Sequence, residues 1–403
     1  MNGLAAAETV DRIAAQLAAP QPPPADKTWL PQSLARGAAG VALLHIERAH
    51  TGTGSWEQAH RWITAAVAGG ASAADTNGLY LGAPALAFML HAAATGTPDR
   101  YRQALADLDA PVAALAHRRV DTALDRIRSG ALPGFREYDV FYGLTGIGAL
   151  LLRRDPGGSA LHRILDYLVT LTRPQPLDSC ELPGWWVGHD PHRNPSPHGH
   201  ANLGIAHGIT GPLALLARTM RRGITVDGHH EAIATICAWL DTWRQDGPAG
   251  PWWPEWITLA EHHDGQARQP GPARPSWCYG TPGIARAGQQ AALALGDTRL
   301  RQHYEHALLA CLDDPDQQAR LTTTGLCHGL AGVYQTVLRA ALDSPDPALD
   351  ARLPCLAAAL AHHPNTGTSP GLLDGDTGAA LALHTAAQRR PLSSGWDTCL
   401  LID

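Results

Sequence analysis

The stretch Arg274-Pro275-Ser276-Trp277-Cys278-Tyr279-Gly280-Thr281-Pro282-Gly283 decides the fold, together with Gly325-Leu326-Cys327-His328-Gly329-Leu330-Ala331-Gly332, about fifty residues further on. Each stretch places a cysteine just before a Gly-x-x-Gly turn, and the second adds a histidine. Cys278, Cys327 and His328 therefore make a Cys2His set, which suits a catalytic zinc ion because three protein ligands leave the fourth tetrahedral position open. From the residues alone an alternative stays open, since cysteines without C-x-x-C spacing are more often buried apolar side chains than metal ligands.

The same type of turn recurs along the chain, and an apolar helical segment follows each copy. Amphipathic helical segments precede the turns. A helix that is apolar on all sides is buried, whereas one with a charged face lies outside. The pattern therefore predicts an all-α fold, a closed α/α toroid of seven inner and seven outer helices. The turns begin at Gly37, Gly82 (with Ala85 at the fourth position), Gly143, Gly208, Gly280, Gly329 and Gly375.

Two segments are too long for plain helix pairs and lack helical periodicity. Residues 173–200 are rich in proline, glycine and aromatic residues, and residues 248–275 contain a strand-like run at 250–259 followed by a polar loop at 261–274. Such patterns are typical of short strands and loops. We expect a single toroid over residues 1–403, with these two insertions before the fourth and fifth inner helices.

Composition limits the partners and the compartment. A net charge of -6, a pI near 6.4 and a single lysine offer no electrostatic footprint for nucleic acid. Seven scattered cysteines, an odd number in a long chain, favour a reducing compartment. Residues 1–19 carry acidic residues and no basic start, and no stretch is long and apolar enough to span a membrane. We expect a cytoplasmic protein and leave peripheral membrane attachment open.

Three motifs in order, residues 202–212, 277–283 and 327–332, together with the matching repeats, resemble the lanthionine synthetase C-like (LanC) family, the cyclases of lanthipeptide biosynthesis. The resemblance implies the toroid and a Zn²⁺ ion on Cys278, Cys327 and His328. It also implies the substrate, a peptide whose Ser and Thr have been dehydrated to dehydroalanine and dehydrobutyrine. A peptide cysteine adds to the alkene and forms a lanthionine or methyllanthionine ring.

The resemblance also implies catalytic residues. Thiol addition leaves an enolate that a general acid must protonate. His207 resembles the family's active-site histidine, and Asp139 resembles an aspartate that holds the imidazole or accepts the thiol proton. Arg274 matches an arginine that stabilises enolate charge, and Tyr279 belongs to the same motif. The sequence does not distinguish the acid from the orienting group. Other polar residues are interpreted as structural: His198 and His200 as loop residues, and Asp374 and Asp376 as helix caps.

The interpretation is a stand-alone class I lanthipeptide cyclase. Its expected partners are a dehydrated precursor peptide with a leader segment, a separate dehydratase because no such segment fits within 403 residues, and an exporter complex. One alternative is an enzyme of the same fold that adds glutathione or another small thiol to dehydroamino acids. A second alternative is a non-catalytic scaffold for the dehydratase.

The insertion at 173–200 suggests a place for the leader. Its residues Leu182, Trp185, Trp186 and Val187 are expected to offer a strand-like apolar edge for backbone pairing. The alternative is that the tryptophan pair anchors the loop. If so, Trp252, Trp253 and Trp256 form the next surface to test.

Overall fold

A computed structural model describes residues 2–177, 180–363, 369–388 and 394–403. These ranges contain seventeen α-helices and seven short strands. The helices are α1 (Asn2–Gln16), α2 (Ala38–His50), α3 (Trp56–Val67), α4 (Ala83–Ala94), α5 (Arg102–Arg128), α6 (Phe135–Tyr138), α7 (Leu144–Arg154), α8 (Ser159–Leu171), α9 (Thr210–Arg221), α10 (His229–Thr242), α11 (Leu259–Asp264), α12 (Thr281–Leu295), α13 (Thr298–Asp313), α14 (Pro315–Gln318), α15 (Leu330–Asp343), α16 (Leu353–Ala361) and α17 (Asp376–Gln388). The strands are β1 (Gln175–Leu177), β2 (Cys180–Leu182), β3 (Val187–His189), β4 (Pro195–Asn202), β5 (Gln245–Gly247), β6 (Gly250–Trp252) and β7 (Trp256–Thr258).

The helix after each glycine turn is buried over most of its length. In α4, every residue except His91 and Ala94 is buried. The same holds broadly for α2, α7, α9, α12, α15 and α17, whereas α1, α3, α5, α8, α10, α13 and α16 each bury one face. The predicted set of seven buried and seven amphipathic helices is confirmed. In the described ranges, no helix combines the length and the apolar character needed to cross a membrane.

The chain divides into two compact units, and the division falls inside α5. The first comprises residues 1–113, 321–401 and 403, and the second comprises residues 114–320 and 402. In the first unit α1 packs on α17, α3 on α2 and α16 on α15. In the second unit α8 packs on α7, α10 on α9 and α13 on α12. Each of these six amphipathic helices therefore covers a buried one with its apolar face.

Backbone hydrogen bonds join the glycine turns of the first unit. The Cys327 N–H donates to the Leu373 carbonyl at 2.9 Å, and the Leu373 N–H donates to the Ala35 carbonyl at 3.2 Å. The Leu34 N–H donates to the Tyr80 carbonyl at 3.0 Å. Ala35, Tyr80, Cys327 and Leu373 all stand two residues before the first glycine of their turns. The backbone therefore fixes the position of Cys327 independently of any ligand.

The turns of the second unit are joined in the same way. The Val140 N–H donates to the Ala206 carbonyl at 3.1 Å, and the Ala206 N–H donates to the Cys278 carbonyl at 3.4 Å. A Cβ atom at Gly204 would lie 2.6 Å from the Cys278 carbonyl oxygen, so only glycine permits this approach. The segments that precede α7, α9 and α12 consequently lie side by side.

Small antiparallel sheets form in the two insertions, as predicted. β1 pairs with β2, and residues 178–179 of the first insertion lie outside the described residues. β4 lies between β3 and β7, with Asn202 of β4 opposite Trp256 of β7. β5 pairs with β6. The three-stranded sheet therefore joins the two insertions just before the turn that leads into α9.

The sequence predicted a polar loop at 261–274. This is wrong for residues 261–264, because they belong to α11. The Glu261 side chain accepts the Thr258 backbone N–H at 2.8 Å, and the Thr258 hydroxyl accepts the Glu261 N–H at 3.4 Å. This reciprocal capping box satisfies two backbone donors that a helix start otherwise leaves unpaired. Gly265 follows in the left-handed conformation and ends the helix.

The tryptophans of the first insertion anchor their loop. Trp185 and Trp186 are 1% and 0% exposed, and the Trp186 indole N–H donates to the His198 carbonyl at 3.0 Å. Leu182 and Val187 are buried as well. The burial of these four side chains favours the alternative that they anchor the loop, because none of them offers side-chain surface to a partner.

Candidate active site and metal-ligand group

The two cysteines and the histidine singled out from the sequence form a group that could hold a metal ion. One ligand atom from each of Cys278, Cys327 and His328 lies within 4.8 Å of the other two. With Zn–S bonds of about 2.3 Å and Zn–N bonds of about 2.0 Å, tetrahedral ligands stand roughly 3.5 to 3.8 Å apart. Two sulfurs and one imidazole nitrogen are donors that zinc accepts readily. The donor types therefore suit zinc, and the group is compact enough to hold a metal ion.

Cys278 is held at the start of α12 by its own turn. The Ser276 hydroxyl lies 3.6 Å from the Cys278 sulfur, donates to the Tyr279 carbonyl at 2.5 Å and accepts the Tyr279 N–H at 3.3 Å. Gly280 has φ of 97°, which side-chain-bearing residues rarely adopt. Ser276 was not predicted as a positioning residue, although it stands in the motif two residues before the cysteine.

His328 has a carboxylate neighbour. Its Nδ1 atom lies 3.5 Å from Oδ1 of Asp374. Carboxylates beside metal-ligating histidines commonly fix the orientation of the ring. Asp374 was predicted only as a helix cap, and its contact with the candidate ligand His328 was not predicted. Asp376 lies within the first turn of α17, where an acidic residue is favourable to the helix dipole.

A second group, built around His207, lies in the turns before α7 and α9. The His207 Nδ1 atom is 2.7 Å from Oδ2 of Asp139, which is fully buried. The other carboxylate oxygen accepts the backbone N–H groups of Tyr142 and Gly143 at 2.6 and 2.7 Å. The His207 side chain keeps 24% of its surface exposed. Since Nδ1 is taken by Asp139, Nε2 is the ring nitrogen available to a ligand.

Aromatic rings surround the same histidine. The centroids of the Phe135 and Phe141 rings lie 4.7 and 5.0 Å from that of His207. The Tyr142 ring is stacked on it at 6.2 Å with an interplanar angle of 11°. These rings restrict the orientation of the imidazole and limit its contact with water, so the position of Nε2 is well defined.

Tyr279 approaches this group through Asn202. The Asn202 side-chain amide donates to the Tyr279 hydroxyl at 2.8 Å, and its carbonyl accepts the Gly204 N–H at 3.0 Å. Burial, the largest cause, raises the pKa of the Tyr279 hydroxyl, and the charge of Cys278 raises it further. The phenol therefore stays protonated at neutral pH and can act as a hydrogen-bond donor. Asn202 was missed as a functional residue, although it opens the first motif.

Arg274 is exposed and acts on a different carboxyl group from the one that holds His207. Burial raises the pKa of Glu255, the charge of Cys278 raises it further, and the charge of Arg274 lowers it. Arg274 and Glu255 are therefore electrostatic neighbours of the Cys278 side of the site. No motif pointed to Glu255.

The prediction that His198 and His200 are loop residues is wrong, because both lie in strand β4. His200 is buried in β4 and its Nδ1 atom lies 2.7 Å from the His189 carbonyl. Burial lowers the pKa of His200 to about 4, so it is neutral at physiological pH. His198 is exposed in the same strand. Neither belongs to the metal-ligand group.

The structure defines a mostly helical protein class that has a candidate metal-ligand group of two cysteines and one histidine, and a second histidine held by a buried aspartate. The family described as Lanthionine synthetase C-like protein matches residues 28–401, and the chain belongs to this family. The match confirms the family that the motifs predicted.

Two relatives support the assignment. The chain is 25% identical over 207 residues to "Nisin biosynthesis protein NisC" of Lactococcus lactis subsp. lactis. That alignment covers 49% of this chain and 48% of the relative, so the chain spans about half the length of the curated relative it matches. The solved structure of "Nisin cyclase" is similar with a TM-score of 0.81 at 19% identity, covering 98% of this chain and 96% of that one. The chain therefore has the α/α toroid fold of the LanC family, as predicted.

Proposed function

We propose that the protein is a zinc-dependent cyclase that adds cysteine thiols of a lanthipeptide precursor to dehydroalanine and dehydrobutyrine. The observation that carries the proposal is the group of Cys278, Cys327 and His328, with ligand atoms within 4.8 Å of one another. The names of the relatives, a biosynthesis protein and a cyclase for nisin, support the same function. When bound, zinc supplies a Lewis acid that lowers the pKa of a substrate thiol.

Residues of the protein deliver the proton that the α-carbon of the substrate receives. Ring closure joins the thiol sulfur to the β-carbon, the thiol gives up its proton, and the α-carbon receives one, so no net proton is consumed. His207 in its protonated form is the proposed acid, because Nε2 is accessible and Asp139 holds Nδ1 at 2.7 Å. The Asp139 carboxylate stabilises the imidazolium and sets the face from which the proton arrives.

Two further residues stabilise charge that develops on the substrate carbonyl. Tyr279 offers its hydroxyl hydrogen, since the oxygen already accepts a hydrogen bond from Asn202. Arg274 contributes a positive charge on the Cys278 side of the site. Donors fixed in advance stabilise a developing enolate without reorganisation.

The proposed substrate already contains dehydroamino acids, so an enzyme that removes water from Ser and Thr must act first. We propose that this dehydratase is a separate protein and that the cyclase acts with it in the cytoplasm. An exporter complex would follow, because a ring-bearing product must then leave the cell.

The test is a competition between intramolecular and external thiols. The purified protein is incubated with a dehydrated, cysteine-containing peptide in the presence of glutathione, and the products are separated by mass spectrometry. A cyclase gives a product of unchanged mass whose cysteine no longer reacts with an alkylating reagent. Glutathione adducts as the main enzyme-dependent product would favour the small-thiol alternative. No change above the uncatalysed rate would favour the scaffold alternative.

A further inference from the structure

A cleft of about 530 Å³ opens in the second unit beside β7. Trp252 and Trp253 of the neighbouring tryptophan cluster are buried, but Trp256 is partly exposed and forms one wall. The walls are mostly apolar. The lining residues are Glu255, Trp256, Glu261, residues 269–273 and Arg320.

Most polar groups that line the cleft already have partners within the protein. Glu261 accepts the Thr258 N–H on one oxygen and the Arg268 N–H, at 2.6 Å, on the other. The Gln269 amide donates to the Gly271 carbonyl at 2.7 Å, and Arg320 donates to the Pro272 carbonyl. These contacts build the walls of the cleft and leave the groups less free to bind a ligand.

The side chain of Glu255 differs from these bonded polar groups. Its backbone is fixed, because its N–H donates to the Gln269 side chain at 3.0 Å and its carbonyl accepts the Leu203 N–H at 3.0 Å. Its carboxyl group accepts no hydrogen bond from the residues that the structure describes, although it is half-buried. Glu261 and Arg320 are already bonded within the protein, so the Glu255 carboxyl, with Arg274 as an electrostatic neighbour, is the charge that the lining presents to a ligand. A cationic group is the ligand that this charge favours.

The position of the cleft connects it with the candidate active site. Glu255 precedes β7, and Trp256 lies opposite Asn202, the residue that donates to the Tyr279 hydroxyl. Tyr279 directly follows Cys278 in the chain. A peptide whose cysteine reaches Cys278 would therefore have neighbouring residues at the cleft.

We propose that the cleft is a specificity pocket for a lysine or arginine side chain next to the ring-forming cysteine of the substrate peptide. This inference rests on the proposed function and names a feature of its substrate. The carboxylate of Glu255 is the counter-charge, and the aliphatic stem of the side chain packs along Trp256 and the two prolines of the loop. Selectivity comes from charge at Glu255 and from length, since the cation must reach the carboxylate beyond the apolar walls.

The test compares binding of two synthetic peptides that cannot cyclise, because serine replaces the dehydroalanine. One carries lysine beside the cysteine and the other carries norleucine, which has a similar stem without the charge. Calorimetry with the zinc-loaded protein is expected to show about tenfold tighter binding of the lysine peptide, as for one partly desolvated charge pair. Glu255→Gln should abolish the preference, and Glu231→Gln, a change at an exposed glutamate of α10, should keep it.

Equal affinity of the wild-type protein for the two peptides, or an unchanged preference in Glu255→Gln, would overturn the inference. The inference and the proposed function fail separately. A Glu255-dependent preference without ring closure on dehydrated peptides would support the pocket and contradict the cyclase. Ring closure without a preference for the lysine peptide would support the cyclase and contradict the pocket. Zinc content and thermal midpoint of Glu255→Gln show that the variant is folded.

Discussion

The Nδ1 atom of His207 lies 2.7 Å from Oδ2 of Asp139, whose other oxygen accepts two backbone N–H groups of the turn before α7. The carboxylate is fully buried, whereas the imidazole keeps part of its surface exposed. The pair thus has one fixed member and one member that faces ligands. We therefore propose that Asp139 orients the imidazole and that His207 transfers the proton.

Replacing Asp139 with asparagine tests that division. The amide can still accept the two N–H groups on its oxygen, but its NH2 group then faces Nδ1 of His207 and disfavours the imidazolium. We expect ring closure to slow by about 10²- to 10⁴-fold, as for other carboxylate-to-amide changes beside a catalytic histidine. Single-turnover kinetics on a dehydrated peptide, with zinc content measured in parallel, check this.

The matched control is Asp190→Asn, a change at a partly exposed carboxylate that accepts hydrogen bonds from Asn194 of its own loop. It should retain the wild-type rate. An Asp139→Asn variant that is as fast as the wild type would remove Asp139 from the mechanism. Loss of zinc in that variant would make its role structural.

Asp374 is expected to act on metal affinity. With its carboxylate 3.5 Å from Nδ1 of His328, it favours one orientation of the imidazole ring. Asp374→Asn should lower zinc affinity about 10- to 100-fold, measured by competition with a chromophoric chelator. Asp350→Asn, at an exposed position elsewhere in the first unit, should leave the affinity unchanged. Equal affinity in both variants would show that the contact does not tune the site.

The fold was predictable because its signal repeats. A glycine turn followed by an apolar helix occurs seven times, and the burial of α4 and its counterparts follows from composition alone. The candidate ligands were predictable for a related reason. Cys278 and Cys327 occupy the same position in two turns, two residues before the first glycine.

The supporting residues were not predictable, because their partners are distant in sequence. Asn202 meets Tyr279 across 77 residues. Asp374, in the turn before α17, meets His328, in the turn before α15. Glu255 stands in no motif, and only its place beside the cleft distinguishes it. For Trp186 the sequence left both leader docking and loop anchoring open, and only its burial in the structure favours anchoring.

Trp186 is now expected to contribute to stability rather than to peptide binding. Trp186→Ala removes a fully buried side chain and its hydrogen bond to the His198 carbonyl. The free energy of unfolding should fall by about 3 to 5 kcal/mol, measured by urea denaturation. Trp29→Ala, at a side chain that is 48% exposed, should change it by about 0.5 kcal/mol or less. A Trp186→Ala variant of wild-type stability with weakened precursor binding would restore the docking interpretation.

Buried histidines are expected to make stability depend on pH. The pKa of His200 is lowered by burial to about 4. The unfolded chain, where the pKa is near its ordinary 6.5, therefore binds more protons between these values, and stability falls as pH drops from about 6.5 to 4. His200→Asn keeps a donor for the His189 carbonyl but cannot titrate, so its thermal midpoint should fall less steeply across this range.

His198→Asn, an exposed neighbour in β4, is the control and should follow the wild-type pH dependence. A His200→Asn variant whose midpoint falls as steeply as that of the wild type would contradict the assignment of a neutral buried His200.

The central claim is that Cys278, Cys327 and His328 hold one zinc ion, and metal analysis of the purified protein tests it most directly. We expect one zinc per chain in the wild type, in His207→Ala and in Cys355→Ala, which alters an exposed cysteine outside the group. The Cys278→Ala, Cys327→Ala double variant should contain none, because a single histidine cannot retain the ion against a chelator. Full zinc occupancy in that double variant would contradict the account.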